Sequence, residues 1–477
     1  MTTANAPLAA DRAFLWNLER HSPGLHVGGL ARIEGQIEPR ELLQQVNRLG
    51  DLPRFRLRVD TSPIGRPRWR PVRFEPESHV QIAGPENPAS ALDTALSQPL
   101  DPRRPLWEVH LLPGFHADGD ALLIKTHLAT ADGLGTSDLF EVLFNSSPKI
   151  ADVPPERSTV NGKSNGNGNG NGNMFPPGLG TGKRMSEWIE NWTLTGQDLL
   201  DTAMEFSSEE VRTAFLALNE VMPDAALPPL PLPFNGPVRG RRRLIRCELS
   251  YADVRRVRAR FGGALSDVVL ATVAGGLERY LSRRGVPTAG RSLKIALATD
   301  VADRGGNRRS LLPVEVPLAV GASHRLRAVL QLTRLLRAAH VADALSRLAG
   351  VQRAAGPLAA ATTAVAASIR PPFHLTVANA TGPQIPQFLA GRPVIGYTPS
   401  WPVGFGQGLS CAFFAYNQLL HVGLTVDERA CPDGNVLPDL LAESLGELRE
   451  AAGSPARQPV RDAPPAPSAH ADQTLET

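Results

Sequence analysis

Cysteine is scarce: three residues (Cys247, Cys411, Cys431) in 477, with no C-x-x-C pair. An odd number at wide spacing argues against a disulfide framework and against a structural zinc site, and it suits a reducing compartment. Aromatic residues make up only 5% of the chain. Charge is nearly balanced, with 50 Lys and Arg against 47 Asp and Glu, so nothing demands a nucleic-acid partner. No run of about 20 apolar residues exists to span a bilayer. The uncharged stretch 393–426 is interrupted by Pro399, Pro402 and several glycines, and the Ala/Thr-rich stretch 358–369 is too short. The first residues carry Asp11, Arg12, Glu19 and Arg20 where a secretory signal needs an unbroken apolar core. A cytoplasmic location is the expectation.

Glycine and proline, by contrast, are abundant at 43 each, above the roughly 12% that the pair usually reaches. Much of the excess falls in an Asn-Gly repeat at 161–173, flanked by prolines. Repeated glycine raises the entropy cost of ordering, so this stretch is expected to be a linker or a disordered loop. The segment 454–477 has a tail's composition. The length suits two to four domains. The division expected is 1–155, a linker at 156–182, connecting helices and a Pro-rich crossover at 183–238, a second domain at 239–453, and the tail.

Hydrophobic periodicity predicts α/β structure on both sides of the linker. In the first block, helices are expected at 9–19 and 40–48, and strands at 27–33, 55–59, 68–72, 107–112 and 121–126. After a helical region at 186–221, the five prolines of 227–237 enforce an extended connector. In the second block a strand at 244–249 leads into a helix over 250–261, with Ser250 as its N-cap. The helix at 266–281 is the best defined, because Val269, Val273, Leu277 and Leu281 recur at i+4 on one face. Strands are expected at 293–298, 314–318, 375–378, 410–416 and 418–425.

One segment suggests chemistry: 123–135, LIKTHLATADGLG. A strand delivers His127 to a short turn that ends in Asp132-Gly133. A histidine with a carboxylate one turn away can serve as a base and its orienting group. The same residues also suit a plain strand end followed by ordinary turn chemistry. No G-x-S-x-G is present, and Gly133-Leu134-Gly135 is too short for a dinucleotide or P-loop fingerprint.

The segment 99–112, PLDPRRPLWEVHLL, lies just upstream. Together the two resemble the bacterial wax ester synthase/diacylglycerol acyltransferase family, with its PLD…RPLWE…HL stretch followed by His-His-x-x-x-Asp-Gly. Segments 8–30, 235–243, 265–281, 305–317 (GGNRRSLLPVEVP) and 377–391 (VANATGPQIPQFLAG) are similar to further family segments in the same order. The resemblance implies two chloramphenicol-acetyltransferase-like α/β domains, related to condensation domains, facing each other across a solvent tunnel. It implies acyl-CoA as a substrate, a lipid or alcohol acceptor, and neither metal nor cofactor. His127, Asp132 and Gly133 then fall in the catalytic motif. Ser266, Asp267, Asn379 and Gly382 become candidate substrate-binding residues, and Arg241 and Arg242, in a basic run, candidates to meet CoA phosphates.

The decisive position departs from the family pattern. Counting back from Asp132, the second histidine, which removes the acceptor's proton in the family, is Leu128. Adjacent residues on an extended chain point to opposite sides, so His127 is expected to face away from a tunnel that Leu128 faces. The Asn-Asp pair of the family reads Ser266-Asp267, and the strand around Asp300 and Ala302 lacks the family's arginine. Three readings stay open on the sequence: an O-acyltransferase with impaired or altered base chemistry, a non-catalytic acyl- or lipid-binding relative, or transfer to an acceptor that needs no base.

Overall fold

The computed structural model describes residues 7–8, 10–19, 22, 24–61, 67–84, 87–130, 142–147, 229–303, 306–338, 371–380, 382–383 and 385–453; for Ala10, Asp11, Phe14, 299–303, 306–310 and Ala380 only the backbone is described. The segments 161–173, 186–221 and 358–369, together with Asp132, Gly133 and the tail, lie outside the described residues.

In chain order the first block holds α1 (Ala10–Glu19), β1 (His26–Glu34), α2 (Pro39–Asn47), β2 (Leu57–Asp60), β3 (Arg68–Pro71), β4 (Val80–Ile82), α3 (Pro88–Ser97), β5 (Trp107–His116) and β6 (Gly119–His127). The second holds β7 (Arg242–Ser250), α4 (Tyr251–Phe261), α5 (Leu265–Arg283), β8 (Ser292–Asp303), β9 (Gly306–Pro317), α6 (Ala322–Ala338), β10 (Leu375–Ala380), β11 (Gln387–Leu389), β12 (Arg392–Ser400), β13 (Leu409–Tyr416), β14 (Leu419–Asp427) and α7 (Leu437–Gly453). Among the described residues no single helix is long and apolar enough to cross a membrane.

The expected elements that fall among the described residues are present, the strand expected at 55–59 starting only at Leu57 after a 3-10 turn, and Ser250 caps α4 by accepting the Asp253 N–H at 3.2 Å. The strands at β8 and β9 run longer than the sequence suggested, as a twelve-residue hairpin pairing Ser292 with Pro317 through to Asp303 with Gly306. Its distal part carries Asp300, Asp303, Arg308 and Arg309, so hydropathy gave no strand signal there. Trp107 is a core residue, 2% exposed, with its indole N–H donating to the Phe55 carbonyl at 3.1 Å.

Two six-stranded sheets form the body, ordered β11-β12-β1-β6-β5-β4 and β7-β14-β13-β10-β8-β9. The first buries one face on α2 through Ala31, Ile33, Leu42 and Val46. The second packs on α4, α5, α6 and α7 through a larger core. Helix α5 lies close to α7 because Gly275 and Gly276 leave no side chain between them; a Cβ at Gly275 would lie 2.3 Å from Ser444 Oγ.

The sheets do not respect a linear division of the chain. Strands β11 and β12, from the second block, complete the first sheet, and β12 pairs antiparallel with β1 from Gly28↔Ser400 to Ile33↔Val394. The chain then returns to the second sheet as β13. Where β12 crosses β14 the backbones nearly touch: a Cβ at Gly423 would lie 1.8 Å from the Pro399 carbonyl oxygen. Arg32 of β1 is ion-paired with Glu248 of β7 across the same seam.

Gly423→Ala is therefore expected to force the two strands apart and destabilise the protein by roughly 1–3 kcal/mol, as overpacking does. Gly446→Ala, on α7 with open space around it, should instead stabilise by about 0.5–1 kcal/mol through helix propensity. Urea titrations of both variants, with equal m-values, check the pair.

Candidate active site

The site is built on the last turn of β6 and the first residues of β1. Register pairs His26 with His127, Val27 with Thr126 and Gly28 with Lys125, so His26, Lys125 and His127 share one face of the first sheet and Val27 and Thr126 the other. Past the end of the strand, Leu128 donates its N–H to the Leu25 carbonyl at 2.9 Å, and the Thr130 N–H returns to the His127 carbonyl at 3.0 Å. This fixes a tight corner with His127 and Leu128 pointing apart.

His127 turns into the first block, 1% exposed, with the Trp16 ring edge-on at 5.7 Å. Its Nδ1 accepts the Ala129 N–H at 2.9 Å. The proton then sits on Nε2, which faces Glu19 Oε2 at 3.3 Å. Both nitrogens are occupied by the fold, and neither is available to accept a proton from a substrate. Glu19 is itself held from three sides, since it also accepts the Gly24 N–H at 2.7 Å and the Leu25 N–H at 2.8 Å. Burial pushes the Glu19 carboxyl up, but the His127 contact and the two backbone donors outweigh it, and the net shift is below the usual value.

The same face is unusually cationic. Lys125 is fully buried, its ammonium donating to the carbonyls of Ala95 and Gln98 at 2.8 Å each, where α3 ends. Glu108 Oε2 stands 3.5 Å from it. Burial lowers the Lys125 pKa. His26 is held well below the ordinary imidazole range by burial first, and then by Lys125 and Arg242.

Leu128 points the other way. It packs with Val27 of the first sheet and with Ala298, Ala378, Ala412 and Trp401 of the second block, and also against Leu18 and Leu25. The seam between the sheets therefore receives an isobutyl group at this corner.

The remaining candidates are only partly brought together. Asn379, half-buried on β10, follows Ala378, a member of the apolar cluster against which Leu128 packs. Gly382 lies just beyond, with the Phe414 ring in the space that a Cβ would need. Ser266 is half-buried in the first turn of α5. Asp267 beside it is fully buried; Oδ2 accepts the Ala264 N–H at 2.8 Å and Oδ1 meets Arg337 Nη2 at 2.6 Å. It closes the helix start and ties α5 to α6, a duty that the sequence reading had not assigned to it.

The basic run lies beside α3. Arg241 donates to the Ser90 carbonyl at 3.2 Å and to Thr94 Oγ1 at 3.3 Å on α3. Arg242 is 9% exposed, receives support from Ser97 Oγ at its N–H, and lies against Gly24. Both join the two blocks, because β7 runs directly alongside α3. The sequence reading missed Glu19, 108 residues from His127, for want of any local signal linking them. The fixed pairing of an apolar strand end with the α1–β1 turn is what joins them.

A pair of mixed sheets exchanging strands is the architecture of the wax ester synthase and condensation-domain fold. Solved structures share it: the wax ester synthase/diacylglycerol acyltransferase of Marinobacter aquaeolei VT8 (20% identity, TM-score 0.61, covering 94% of this chain and all of that one). The first condensation domain of the calcium-dependent antibiotic synthetase, in complex with a substrate analogue, matches at 15% identity and TM-score 0.57, over 96% of this chain and 98% of that one. The wax ester synthase/diacylglycerol acyltransferase catalytic domain matches residues 8–269, and the C-terminal domain of the same family matches residues 305–449. The chain belongs to this family. A Mycobacterium tuberculosis protein whose name proposes diacylglycerol O-acyltransferase activity is 27% identical over 92% of this chain and 89% of its own length. Another from the same organism is 28% identical over 74% and 69%.

Glu19 gives the site a pH signature. Its folded pKa lies below the ordinary 4.5, so its contribution is present above that value and is lost as pH falls through the lower folded value. Glu19→Gln should lower the melting temperature at about pH 6, and the gap to wild type should shrink as pH drops below about 4.5. Melting curves across that range test the assignment.

Proposed function

We propose that this protein transfers a long-chain acyl group from acyl-CoA to the oxygen of an alcohol or diacylglycerol acceptor, with base chemistry weaker than the family's. Family membership over both matched regions supports the reaction class. A starter condensation domain of the same fold, solved with C8-CoA, supports a thioester donor (15% identity, TM-score 0.56). The observation that carries the altered chemistry is the corner at the end of β6, where Leu128 faces the seam and both nitrogens of His127 are engaged.

In such a reaction the acceptor oxygen attacks the thioester carbonyl, the C–S bond breaks, and the hydroxyl proton ends on the departing thiolate or on water. A positioned imidazole contributes about 10²–10⁴-fold to that step. Without it, positioning beside the carbonyl supplies the remaining acceleration. Substrates delivered from a membrane or lipid-droplet surface, by a protein otherwise in the cytoplasm, fit the hydrophobic acceptors proposed. Arg241 and Arg242 are proposed to act indirectly, by holding the two blocks at a fixed spacing around the substrate.

Purified protein incubated with palmitoyl-CoA and a panel of alcohols, diacylglycerol and amines, followed by thiol release and product mass, tests the reading. Slow ester formation is expected; turnover with amines alone would assign an acceptor needing no base, and acyl-CoA binding with no turnover at all would assign sequestration. Leu128→His should raise alcohol acylation by about 10²-fold or more, because it restores an imidazole on the seam side of the corner. A folded Leu128→His variant without gain would refute latent base-dependent transfer.

A further inference from the structure

Between β12 in the first sheet and β13 in the second, the chain makes a two-residue hairpin. The Gly404 N–H donates to the Gln407 carbonyl at 3.0 Å and the Gln407 N–H returns to the Gly404 carbonyl at 2.9 Å. The central residues, Phe405 and Gly406, have φ of 50° and 78°. Positive φ at both positions is the signature of a type I′ turn, whose sequence preference is Asn-Gly. A phenylalanine in the left-handed region is a steric outlier, and such residues persist only where the surroundings over-determine them.

The surroundings do so here. The Gly406 carbonyl accepts the Gly236 N–H at 2.9 Å and Asn235 Nδ2 at 3.3 Å. Gln407 Oε1 accepts Thr376 Oγ1–H at 2.9 Å, and the Gly408 N–H reaches the Phe234 carbonyl at 2.9 Å. On the other side, a Cβ at Gly404 would sit 2.4 Å from Ser22 Oγ of the first block. The turn is clamped between the blocks, and the half-buried Phe405 ring packs on Leu18 and Leu25, the two residues on which Leu128 also packs. Asparagine or glycine would make this turn without strain, so the backbone does not call for a phenyl group. The ring's position does.

We propose that Phe405 is a specificity-determining residue: with Leu128 it walls the place where the acceptor's reacting end lies, and so admits unbranched primary acceptors in preference to those branched beside the reacting atom. The inference rests on the acyl-transfer reading of Leu128 above. Because the clamped turn holds the Phe405 backbone in place, a methyl branch next to the hydroxyl has to displace the ring. One carbon in a packed apolar site typically discriminates by about 10–200-fold.

The test compares 1-decanol with 2-decanol on the full-length protein, by calorimetric titration and by turnover with palmitoyl-CoA. Phe405→Gly and Phe405→Asn both suit the turn, and melting curves report whether they fold. A wild-type preference for 1-decanol of about tenfold or more, collapsing toward parity in both folded variants, is the expected result. An unchanged ratio in folded variants overturns the proposal, as does loss of folding in both, which would make the ring a structural brace. If the wild type turns over no acceptor but the binding ratio still collapses, the acyl-transfer reading fails while Phe405 keeps its selecting role. If turnover is normal and the ratio is unmoved, only the inference about Phe405 fails.

Discussion

Everything at the end of β6 follows from the alternation of an extended chain. His127 and Leu128 are neighbours, so one must enter the cationic interior of the first block when the other enters the seam. The register of β1 against β6 decides which, and it is anchored by nine paired residues from His26↔His127 to Glu34↔Gly119. A slip of one residue would exchange the two side chains and bury Leu128 among Glu19, Lys125 and Arg242. The Glu19 carboxylate guards against that slip. It gathers three N–H donors, two from the α1–β1 turn and one from His127, and an apolar side chain in the place of His127 would leave it unsatisfied.

The same strand pairing explains how a histidine in a candidate motif comes to be held by the fold on both ring nitrogens. An imidazole that accepts at one nitrogen and donates at the other is a cross-link, and its value here is the fixed direction it gives to its neighbour. Leu128, so directed, meets small residues of the second sheet, Ala298, Ala378 and Ala412. Larger residues at those positions would close the approach of the two sheets, which is also limited by the contact of Gly423 with β12.

Much of this fold was legible in the chain. Short apolar strands and the i+4 stripe of α5 declared themselves, and the order of short family-like segments pointed to the architecture. The opposed directions of His127 and Leu128 were legible too, because they require only the geometry of an extended dipeptide. What could not be read was partnership across distance. Arg241 and Arg242 carry no mark showing that α3 lies beside them, and Asp267 none of the arriving Arg337. The return of β11 and β12 to the first sheet is equally invisible, since pairing partners are set by tertiary packing and a strand's composition is the same in either sheet. Phe405 was hidden because a turn normally advertises itself through Asn-Gly, and here Phe-Gly takes its place.

The exchange of β12 has a consequence for how the molecule comes apart. Two blocks joined only by a linker would be free to melt separately, each with its own transition. Here the first sheet takes β11 and β12 from the second block, and the second block's next strand, β13, begins after only eight intervening residues. The first sheet cannot complete its ladder without strands of the second block. The chain is interlaced, and heat should dissolve it as a single cooperative body, with the late-synthesised strand β12 as the piece whose arrival makes the earlier half whole.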